Sequence, residues 1–315
     1  MPLKMELYDV IIIGAGPAGL TAAIYATRKK LKTLVLSRDV GGQTIWSFGV
    51  ENYPGFRVIS GIELVRKFEE HVRDFGVELK TSSEVQSIKQ ADKHFEVFVK
   101  NAKDVKNVKY EGKTVIAASG KIPRKLNVPG ENEFLGKGVA YCATCDAPIF
   151  AGKDVAVVGG GNAALEAALQ LSGIGEQIYI INASHELGGD EITRDKFNSK
   201  NNLEIINNSE VTEISGGKFV SGIKIKNKLS GGEKTINVQG VFIEIGSIPS
   251  TIFAKGFLEM NALNEIIINC RSETNVPGVF AAGDVTNGPA KQIISAAGDG
   301  CKAALAAYEY LMKMK

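Results

Sequence analysis

Two glycine-rich turns constrain this chain more than any other feature of its sequence. The first, G14-A-G-P-A-G19, follows an apolar β-branched run at residues 10–13 and precedes a helix-like stretch. The second, G159-G-G-N-A-A164, lies between V155-A-V-V158 and L165-E-A-A-L-Q-L-S172. In such turns the first glycine permits the tight bend, the second lets backbone N–H groups approach a pyrophosphate, and the third position packs helix against strand. Two copies in the same context predict two dinucleotide-binding units.

The rest of the chain supplies the elements for two α/β domains. Further strands are predicted at T33-L-V-L-S37, T114-V-I-A-A118, Q177-I-Y-I-I181, G240-V-F-I-E-I245 and G278-V-F-A-A282, and helices at about 61–75 and 291–313. Polar and apolar residues alternate over 83–111, which predicts an antiparallel meander. A chain of 315 residues is also long for a single core.

The order of these elements predicts that the second unit is inserted in the first. The strand at 278–282 and the last helix complete the first domain better than the second, so the connectors should lie near Ser119-Gly120 and Gly246-Ser247. The expected fold is α/β, with two Rossmann-like domains of the three-layer ββα kind. Residues 1–119 and 247–315 form one, and residues 120–246 form the other.

Composition excludes several classes of function. Lys plus Arg number 37 against 35 for Asp plus Glu, so no global field favours nucleic acid or anionic lipid. No apolar run approaches the roughly 18 residues of a membrane span, and the first residues lack the pattern of a secretory signal. Four cysteines do not make a disulfide scaffold. We therefore expect a cytoplasmic protein that binds neither nucleic acid nor membrane.

Several short motifs, together with the two turns, resemble one family along nearly the whole chain. They are G41-G-Q43, E51-N-Y-P-G55, C142-A-T-C-D146, A282-G-D-V285 and K291-Q-I293. The chain is similar to the low-molecular-weight thioredoxin reductases and to the flavoprotein component of alkyl hydroperoxide reductase. The resemblance implies FAD in the first domain, and a nicotinamide nucleotide and a redox-active cysteine pair in the inserted one. It also implies a homodimer in which the inserted domain swivels, presenting the cysteines alternately to the flavin and to a protein partner.

The resemblance also implies which residues contact the cofactors. Those for FAD are Gly14, Gly16, Pro17, Ala18, Gly19, Gly42, Gln43, Asn52, Gly120, Gly283, Asp284, Lys291, Gln292 and Ile293. Those for the nicotinamide nucleotide are Gly159, Gly161, Asn162, Ala163 and Asn182. By the same resemblance Asp284 bonds the ribityl chain, and Gln292 and Ile293 lie at the flavin ring. The last helix agrees with this, because its positive N-terminal end would stabilise the negative charge of a reduced flavin.

The cysteine pair in C142-A-T-C-D146 could bind a metal, staple a loop or exchange electrons. A zinc site needs about four ligands, whereas Cys270 and Cys301 are isolated and His71, His94 and His185 lie in unrelated patterns that favour solvated or structural roles. A stapling disulfide would be reduced in the cytoplasm. Redox exchange is the interpretation that is left.

The resemblance gives each residue of the pair a role. Cys145 faces the flavin C4a atom, Cys142 attacks the disulfide of the partner protein, and Asp146 donates and accepts the proton. Cys270 and Cys301 are expected to be ordinary buried thiols.

The electron donor is predicted from the absence of arginine after the second strand of the inserted domain. A 2′-phosphate needs bidentate cationic contacts, yet I181-N-A-S-H-E-L-G-G189 has no arginine, and the first one after it is Arg194. Asn182 occupies the place where an NADH enzyme puts an acidic residue for the ribose hydroxyls. This run is more similar to the alkyl hydroperoxide reductase flavoprotein, an NADH user, so NADH is favoured over NADPH.

The electron acceptor is predicted to be a separate protein. Because the chain starts directly at the first strand, without the thioredoxin-like extension of that flavoprotein, the receiving dithiol should belong to a thioredoxin- or glutaredoxin-like protein, which could in turn feed a peroxiredoxin. One alternative is a flavin thioredoxin reductase that takes electrons from ferredoxin or another donor. A more distant one is a non-enzymatic metal-binding module.

Overall fold

The computed structural model describes residues 6–46, 50, 52–101, 107–141 and 143–314. Its strands are, in chain order, β1 (Leu7–Ile13), β2 (Thr33–Leu36), β3 (Glu78–Lys80), β4 (Ser83–Gln90), β5 (Phe95–Asn101), β6 (Asn107–Ala117), β7 (Lys121–Pro123), β8 (Val139–Ala140), β9 (Val155–Val158), β10 (Ile178–Ile181), β11 (Leu203–Ile206), β12 (Ser209–Gly216), β13 (Val220–Asn227), β14 (Glu233–Ile236), β15 (Gly240–Ile243), β16 (Ser247–Pro249) and β17 (Val279–Ala281). Its α-helices are α1 (Pro17–Arg28), α2 (Gly61–Asp74), α3 (Ala143–Asp146), α4 (Asn162–Ser172), α5 (Glu191–Asp195) and α6 (Ile293–Lys313).

The chain divides into two compact units. Unit 1 comprises Met1–Ile122 with Ile248–Lys315, and unit 2 comprises Pro123–Ser247. The chain passes from one unit to the other within β7 and again within β16, and these two strands pair with each other. The connectors predicted from the sequence lie within three residues of these limits.

Unit 1 contains a sheet in the order β3-β2-β1-β6-β5-β4, with β17 also paired to β6. The strands β1, β2, β3 and β17 run parallel to their neighbours, whereas β4, β5 and the start of β6 form the predicted antiparallel meander. Along β1, Val10 and Ile12 enter one core cluster, with α1 and α6, while Ile11 and Ile13 enter another on the opposite face. This burial on both faces explains why β1 is continuously apolar.

Unit 2 repeats this plan on a smaller scale. Its five parallel strands follow the order β11-β10-β9-β15-β8, and β12, β13 and β14 form a separate antiparallel sheet. Val155 and Val157 of β9 pack toward α4, and Ala156 and Val158 pack toward the antiparallel sheet. Both units are Rossmann-like, as predicted.

Candidate functional site

The glycines of the first turn have different neighbours. Gly14 has a φ of +108°, and a Cβ built on it would overlap the carbonyl of Ala118, while a Cβ on Gly19 would overlap the carbonyl of Gly14. At Gly16 the nearest atom to a Cβ would be the carbonyl oxygen of Gly41, 3.9 Å away. Two of these glycines are therefore required by the chain's own packing, and Gly16 borders open space.

No side chain caps the start of α1, so its backbone N–H groups can bind an anion. Its N-cap, Gly16, provides no side-chain hydrogen bond, Pro17 occupies the first turn, and that turn holds no acidic residue. The turn before it is tied down by Gly14 N donating to Leu36 O at 2.8 Å and by Gly41 N donating to Ala15 O at 2.7 Å. A rigid glycine turn that leads into a helix without a side-chain cap is suited to binding a pyrophosphate.

The first turns of α1 and α6 meet at Gly283. This residue has a φ of +76°, and a Cβ on it would lie 3.0 Å from the Cβ of Ala18 and 3.3 Å from that of Ala296. The N-cap of α6, Gln292, makes no side-chain cap, and the first turn of α6 holds no acid. Unit 1 thus brings two positive helix ends together, as a cofactor with a phosphate group and an anionic ring would require.

Asp284 lies in the loop that leads to α6. Burial raises the pKa of its carboxyl group, and the charges of Lys121 and Lys291 oppose that rise. Lys291 itself is engaged within the protein, because its Nζ forms an ion pair with Glu265 at 2.9 Å and donates to the carbonyls of Asp284 and Thr286. The structure therefore gives Lys291 the role of holding the loop around Asp284.

The other residues predicted to contact FAD converge from distant parts of unit 1. Asn52 Nδ2 donates to Gln292 Oε1 at 3.1 Å, and Gln43 Nε2 donates to the carbonyl of Lys121 at 3.2 Å. Gly42 lies beside the first turn, since a Cβ on it would be 3.7 Å from Gly16 Cα. Gly120 has a φ of +65° and open space around its Cα. The contacts of these residues with FAD remain predictions.

The second glycine turn repeats the pattern of the first. Gly159 has a φ of +141°, and a Cβ on it would overlap the carbonyl of Glu244. Gly161 caps α4 without a side-chain bond and has nothing within 4 Å of a Cβ. The helix begins at Asn162, whose Oδ1 accepts from Asp190 N at 2.7 Å, and Ala163 follows with an exposed side chain. An uncapped helix start in unit 2 fits a second pyrophosphate.

Asn182 holds the loop after β10, and its predicted contact with the ribose stays a prediction. It is 3% exposed, and its Nδ2 donates to the carbonyls of Ser184 at 3.2 Å and Glu186 at 2.8 Å and to Asn207 Oδ1 at 2.8 Å. Its Oδ1 accepts from Ser184 N. An amide nitrogen has only two hydrogens, so these three acceptors occupy Nδ2, while Oδ1 accepts one bond and has a second lone pair.

Two cations border this loop. Lys228 Nζ donates to the carbonyl of Ala183 at 3.3 Å, and Arg194 Nη1 donates to the carbonyl of Leu187 at 3.3 Å. The sequence reasoning missed Lys228, because it follows β13 and reaches the loop only through the fold. His185, within the loop, is strongly exposed.

The cysteine motif is described in part. Cys142 and the side chain of Cys145 lie outside the described residues, while the backbone of Cys145 belongs to α3. Burial raises the pKa of Asp146, at the end of that helix. A carboxyl group that keeps its proton to higher pH suits the predicted acid–base role.

Two carboxylates, both missed by the sequence reasoning, anchor the residues on either side of Cys142. Glu131 is 1% exposed and accepts from Tyr141 Oη at 2.5 Å, from Leu126 N at 2.9 Å and from Asn127 N at 2.6 Å. Glu244, after β15, accepts from the backbone N–H of Ala143. An acidic residue inside the apolar run G240-V-F-I-E-I245 was the signal available in the sequence.

The two remaining cysteines, Cys270 and Cys301, belong to unit 1. Cys270 is exposed, so its predicted burial was wrong; it lies in the turn between Asn269 and Ser272. Cys301 is half-buried on α6.

Among the described residues, His94, Glu96 and Glu111 form a group close enough to share a metal ion. Lys109 already pairs with both carboxylates of this group, at 2.5 and 3.0 Å.

None of the helices in the described part of the chain has the length and apolar character that a membrane span requires.

Comparisons with known proteins agree with this arrangement. The family model described as pyridine nucleotide-disulphide oxidoreductase matches residues 8–300. The F component of alkyl hydroperoxide reductase from Staphylococcus aureus is 40% identical over 98% of this chain and 60% of its own length, and a Bacillus subtilis protein named NADH dehydrogenase is 40% identical over 98% and 59%. The chain thus spans about three fifths of these curated relatives. The thioredoxin reductase structure from Lactococcus lactis has a TM-score of 0.92 and 35% identity, covering 97% of this chain and 99% of that one.

Proposed function

Since the chain belongs to the pyridine nucleotide-disulphide oxidoreductase family, we propose that it is a thioredoxin reductase-like enzyme that passes electrons from NADH through FAD and the Cys142–Cys145 pair to a thioredoxin- or glutaredoxin-like protein. The observation that carries this proposal is the repeated plan. In each unit a glycine turn leads into a helix without a side-chain cap, and α3 of unit 2 includes Cys145 of the cysteine motif. The thioredoxin reductase structures that match nearly the whole chain support the choice of acceptor.

In this proposal unit 1 binds FAD, which supplies two-electron transfer between a hydride donor and a disulfide. The start of α1 neutralises the pyrophosphate. Asp284, with its raised pKa, bonds the ribityl hydroxyls, and Lys291 holds Asp284 in place. The start of α6 favours negative charge at the ring, which stabilises the reduced form.

In unit 2, Gly159, Gly161 and the start of α4 hold the pyrophosphate of the nicotinamide nucleotide. The electrons break the Cys142–Cys145 bond, and Asp146 supplies the proton that the released sulfur needs. The Cys142 thiolate then attacks the disulfide of the partner protein. We place this exchange in the cytoplasm, in a homodimer, and expect the reduced partner to feed a peroxiredoxin.

NADH is the proposed donor because the loop at 182–190 has no arginine to pair with a 2′-phosphate. The name of the Bacillus subtilis relative supports this choice. Stopped-flow bleaching of the flavin under anaerobic conditions tests it. We expect NADH to be preferred by roughly ten- to a hundredfold in rate at matched concentration, equivalent to about 1.5–3 kcal/mol for losing charge-assisted bonds. Faster reduction by NADPH would contradict the choice, and reduction by neither would favour a ferredoxin-type donor.

The role of the cysteine pair is tested separately. Cys142→Ser and Cys145→Ser should each abolish reduction of a thioredoxin-like partner, since exchange needs both sulfurs. Reduction of the flavin by NADH should persist in both variants. Cys270→Ser, which changes an exposed thiol outside the motif, should leave both rates unchanged. Normal turnover of the protein disulfide by either motif variant would rule out the exchange role.

A further inference from the structure

One face of the β5–β6 hairpin carries a group of polar side chains that the proposed redox function does not use. Glu96 on β5 lies directly opposite Glu111 on β6 in the antiparallel register. His94 stands two residues before Glu96, and side chains two apart on an extended chain point to the same face. On the other face, Phe95 and Val97 are buried in the core of unit 1. The alternation therefore gathers one imidazole and two carboxylates on the side away from that core.

The ligand atoms of this group are close enough for one ion. One atom from each of His94, Glu96 and Glu111 lies within 4.8 Å of the others, and all three residues are half-buried. Zinc binds imidazole nitrogen and carboxylate oxygen at about 2.0–2.2 Å, so the ligand atoms of a tetrahedral site are separated by about 3.4 Å. Movements of about 1 Å at the ends of these side chains therefore close the site.

His94 has a ring nitrogen whose bonding capacity the protein leaves unused. Its Nε2 atom is shielded from solvent and has no hydrogen-bond partner in the described part of the chain. The Oε1 atom of Glu111 lies 3.8 Å from it, beyond hydrogen-bond reach. A shielded polar atom without a partner destabilises the fold, and a metal ion bound to Nε2 would remove that cost.

Lys109 shows that this face attracts a cation. Its Nζ lies 2.5 Å from Glu96 Oε1 and 3.0 Å from Glu111 Oε1, and so it offsets the repulsion between two carboxylates that face each other across the strands. A divalent ion carries twice this charge and can also bind the nitrogen of His94. It can displace the lysine, because the side chain of Lys109 is 32% exposed and long enough to turn into solvent.

We propose that His94, Glu96 and Glu111 form a zinc site that joins the start of β5 to β6. One imidazole with two carboxylates suits Zn²⁺, whereas Mg²⁺ and Ca²⁺ prefer oxygen ligands alone. Three protein ligands leave the fourth tetrahedral position to a water molecule. The site contains none of the residues to which we assign cofactor binding or disulfide exchange. Bound zinc stabilises the folded hairpin, because only the fold holds the three ligands together.

Equilibrium dialysis of the full-length chain against zinc chloride, with the metal counted by mass spectrometry, tests this site. Every protein compared carries Cys142→Ser and Cys145→Ser, so that the thiols of the motif cannot bind the ion. We expect about one zinc per chain. His94→Ala and Glu96→Gln should each weaken binding at least tenfold, because each removes one of three ligands. Magnesium at millimolar concentration should not compete.

Two further variants distinguish this site from loose binding at surface carboxylates. Lys109→Met removes the ammonium group that competes for both carboxylates, so it should tighten zinc binding by roughly two- to fivefold, the worth of an exposed ion pair. His185→Ala removes an exposed histidine beside Glu186 in unit 2 and should leave the zinc affinity unchanged. A gain of affinity in Lys109→Met cannot arise from unfolding.

An absence of bound zinc from the parent, or equal affinities in the parent and His94→Ala, would overturn the site. Weaker binding in Lys109→Met would overturn it as well, and competition by millimolar magnesium would overturn the choice of ion. These measurements use neither nicotinamide nor thioredoxin. Their failure is therefore distinct from a failure of the proposed function, which flavin bleaching and partner reduction report.

Discussion

Individual atoms decide which glycines of the first turn serve the fold and which border a ligand. A side chain at Gly14 or Gly19 would overlap a backbone carbonyl, whereas one at Gly16 would meet its nearest neighbour at 3.9 Å. The same distinction holds in unit 2 between Gly159 and Gly161. Where the chain itself imposes no need for glycine, a bound group that approaches the backbone explains it best.

This distinction leads to a prediction for flavin content. Gly16→Val should yield a folded protein without FAD, because its side chain has room in the protein but blocks approach to the pyrophosphate. Gly19→Ala should instead lose folded protein, because its methyl group overlaps the Gly14 carbonyl. The flavin absorbance per chain and the circular dichroism of both variants provide the measurement. Full flavin content in Gly16→Val would show that the pyrophosphate lies elsewhere.

Glu244 should make stability depend on pH, because burial raises the pKa of its carboxyl group to about 8. The folded chain holds its proton up to about pH 8, while the unfolded chain releases it near pH 4.5. Stability from this group is therefore complete below about pH 4.5 and is lost as pH rises through about 8, by up to about 5 kcal/mol. Urea unfolding at about pH 5.5 and about pH 8.5 should show Glu244→Gln losing less stability than the parent over this interval. Equal losses in the two proteins would mean that Glu244 is not protonated in the folded state.

At the scale of elements, the packing of α1 against α6 builds the end of unit 1 where we propose that FAD binds. The two helices approach so closely that a Cβ on Gly300 would overlap the carbonyl of Ala18. Small residues line both helices, including Ala22 and Ala26 on α1 and Ala303 on α6. This close approach brings their first turns together at Gly283.

Two glycines of α6 provide a matched pair for testing this packing. Gly300→Ala should lower the free energy of unfolding by about 2–4 kcal/mol, because the helices must separate to admit a methyl group. Gly298→Ala, two residues away with nothing within 4 Å, should raise it by about 0.5–1 kcal/mol through helix propensity. Chemical denaturation of the flavin-loaded proteins gives both values. A neutral Gly300→Ala would mean that the two helices can move apart at little cost.

The sequence predicted the elements better than it predicted the contacts between them. Apolar periodicity placed β1, β9 and α6 to within a few residues, because burial on defined faces leaves a local pattern. The bond between Asn52 and Gln292 joins residues far apart in the chain and has no such pattern. The burial of Asn182 was equally invisible, since its partners are set by the loop conformation. Lys228 was missed for the same reason.

At the scale of the whole molecule, one plan is used twice. Each unit has parallel strands buried on both faces, a glycine turn and a helix start without a side-chain cap. Unit 2 is a continuous segment with its own two core clusters, whereas unit 1 is assembled from both ends of the chain. This difference predicts different requirements for folding.

Residues 123–247 should fold when expressed alone. The core of the segment is formed by its own residues, such as Val157, Leu165 and Phe242, so it has what an independent domain requires. We expect a cooperative thermal transition and dispersed amide resonances. The matched fragment 6–122, which lacks β17 and α6, should give neither. A molten fragment 123–247 would show that unit 1 is needed to stabilise it.

The late position of β17 and α6 also bears on how the protein is made. During synthesis on the ribosome, residues 123–247 emerge complete and can fold while the first part of unit 1 still lacks a strand beside β6 and a helix beside α1. Gly283, Asp284 and α6 leave the exit tunnel only after all of unit 2. The nascent chain therefore cannot complete the proposed flavin-binding end of unit 1 until these residues are outside the ribosome, so incorporation of the cofactor would follow the folding of unit 2.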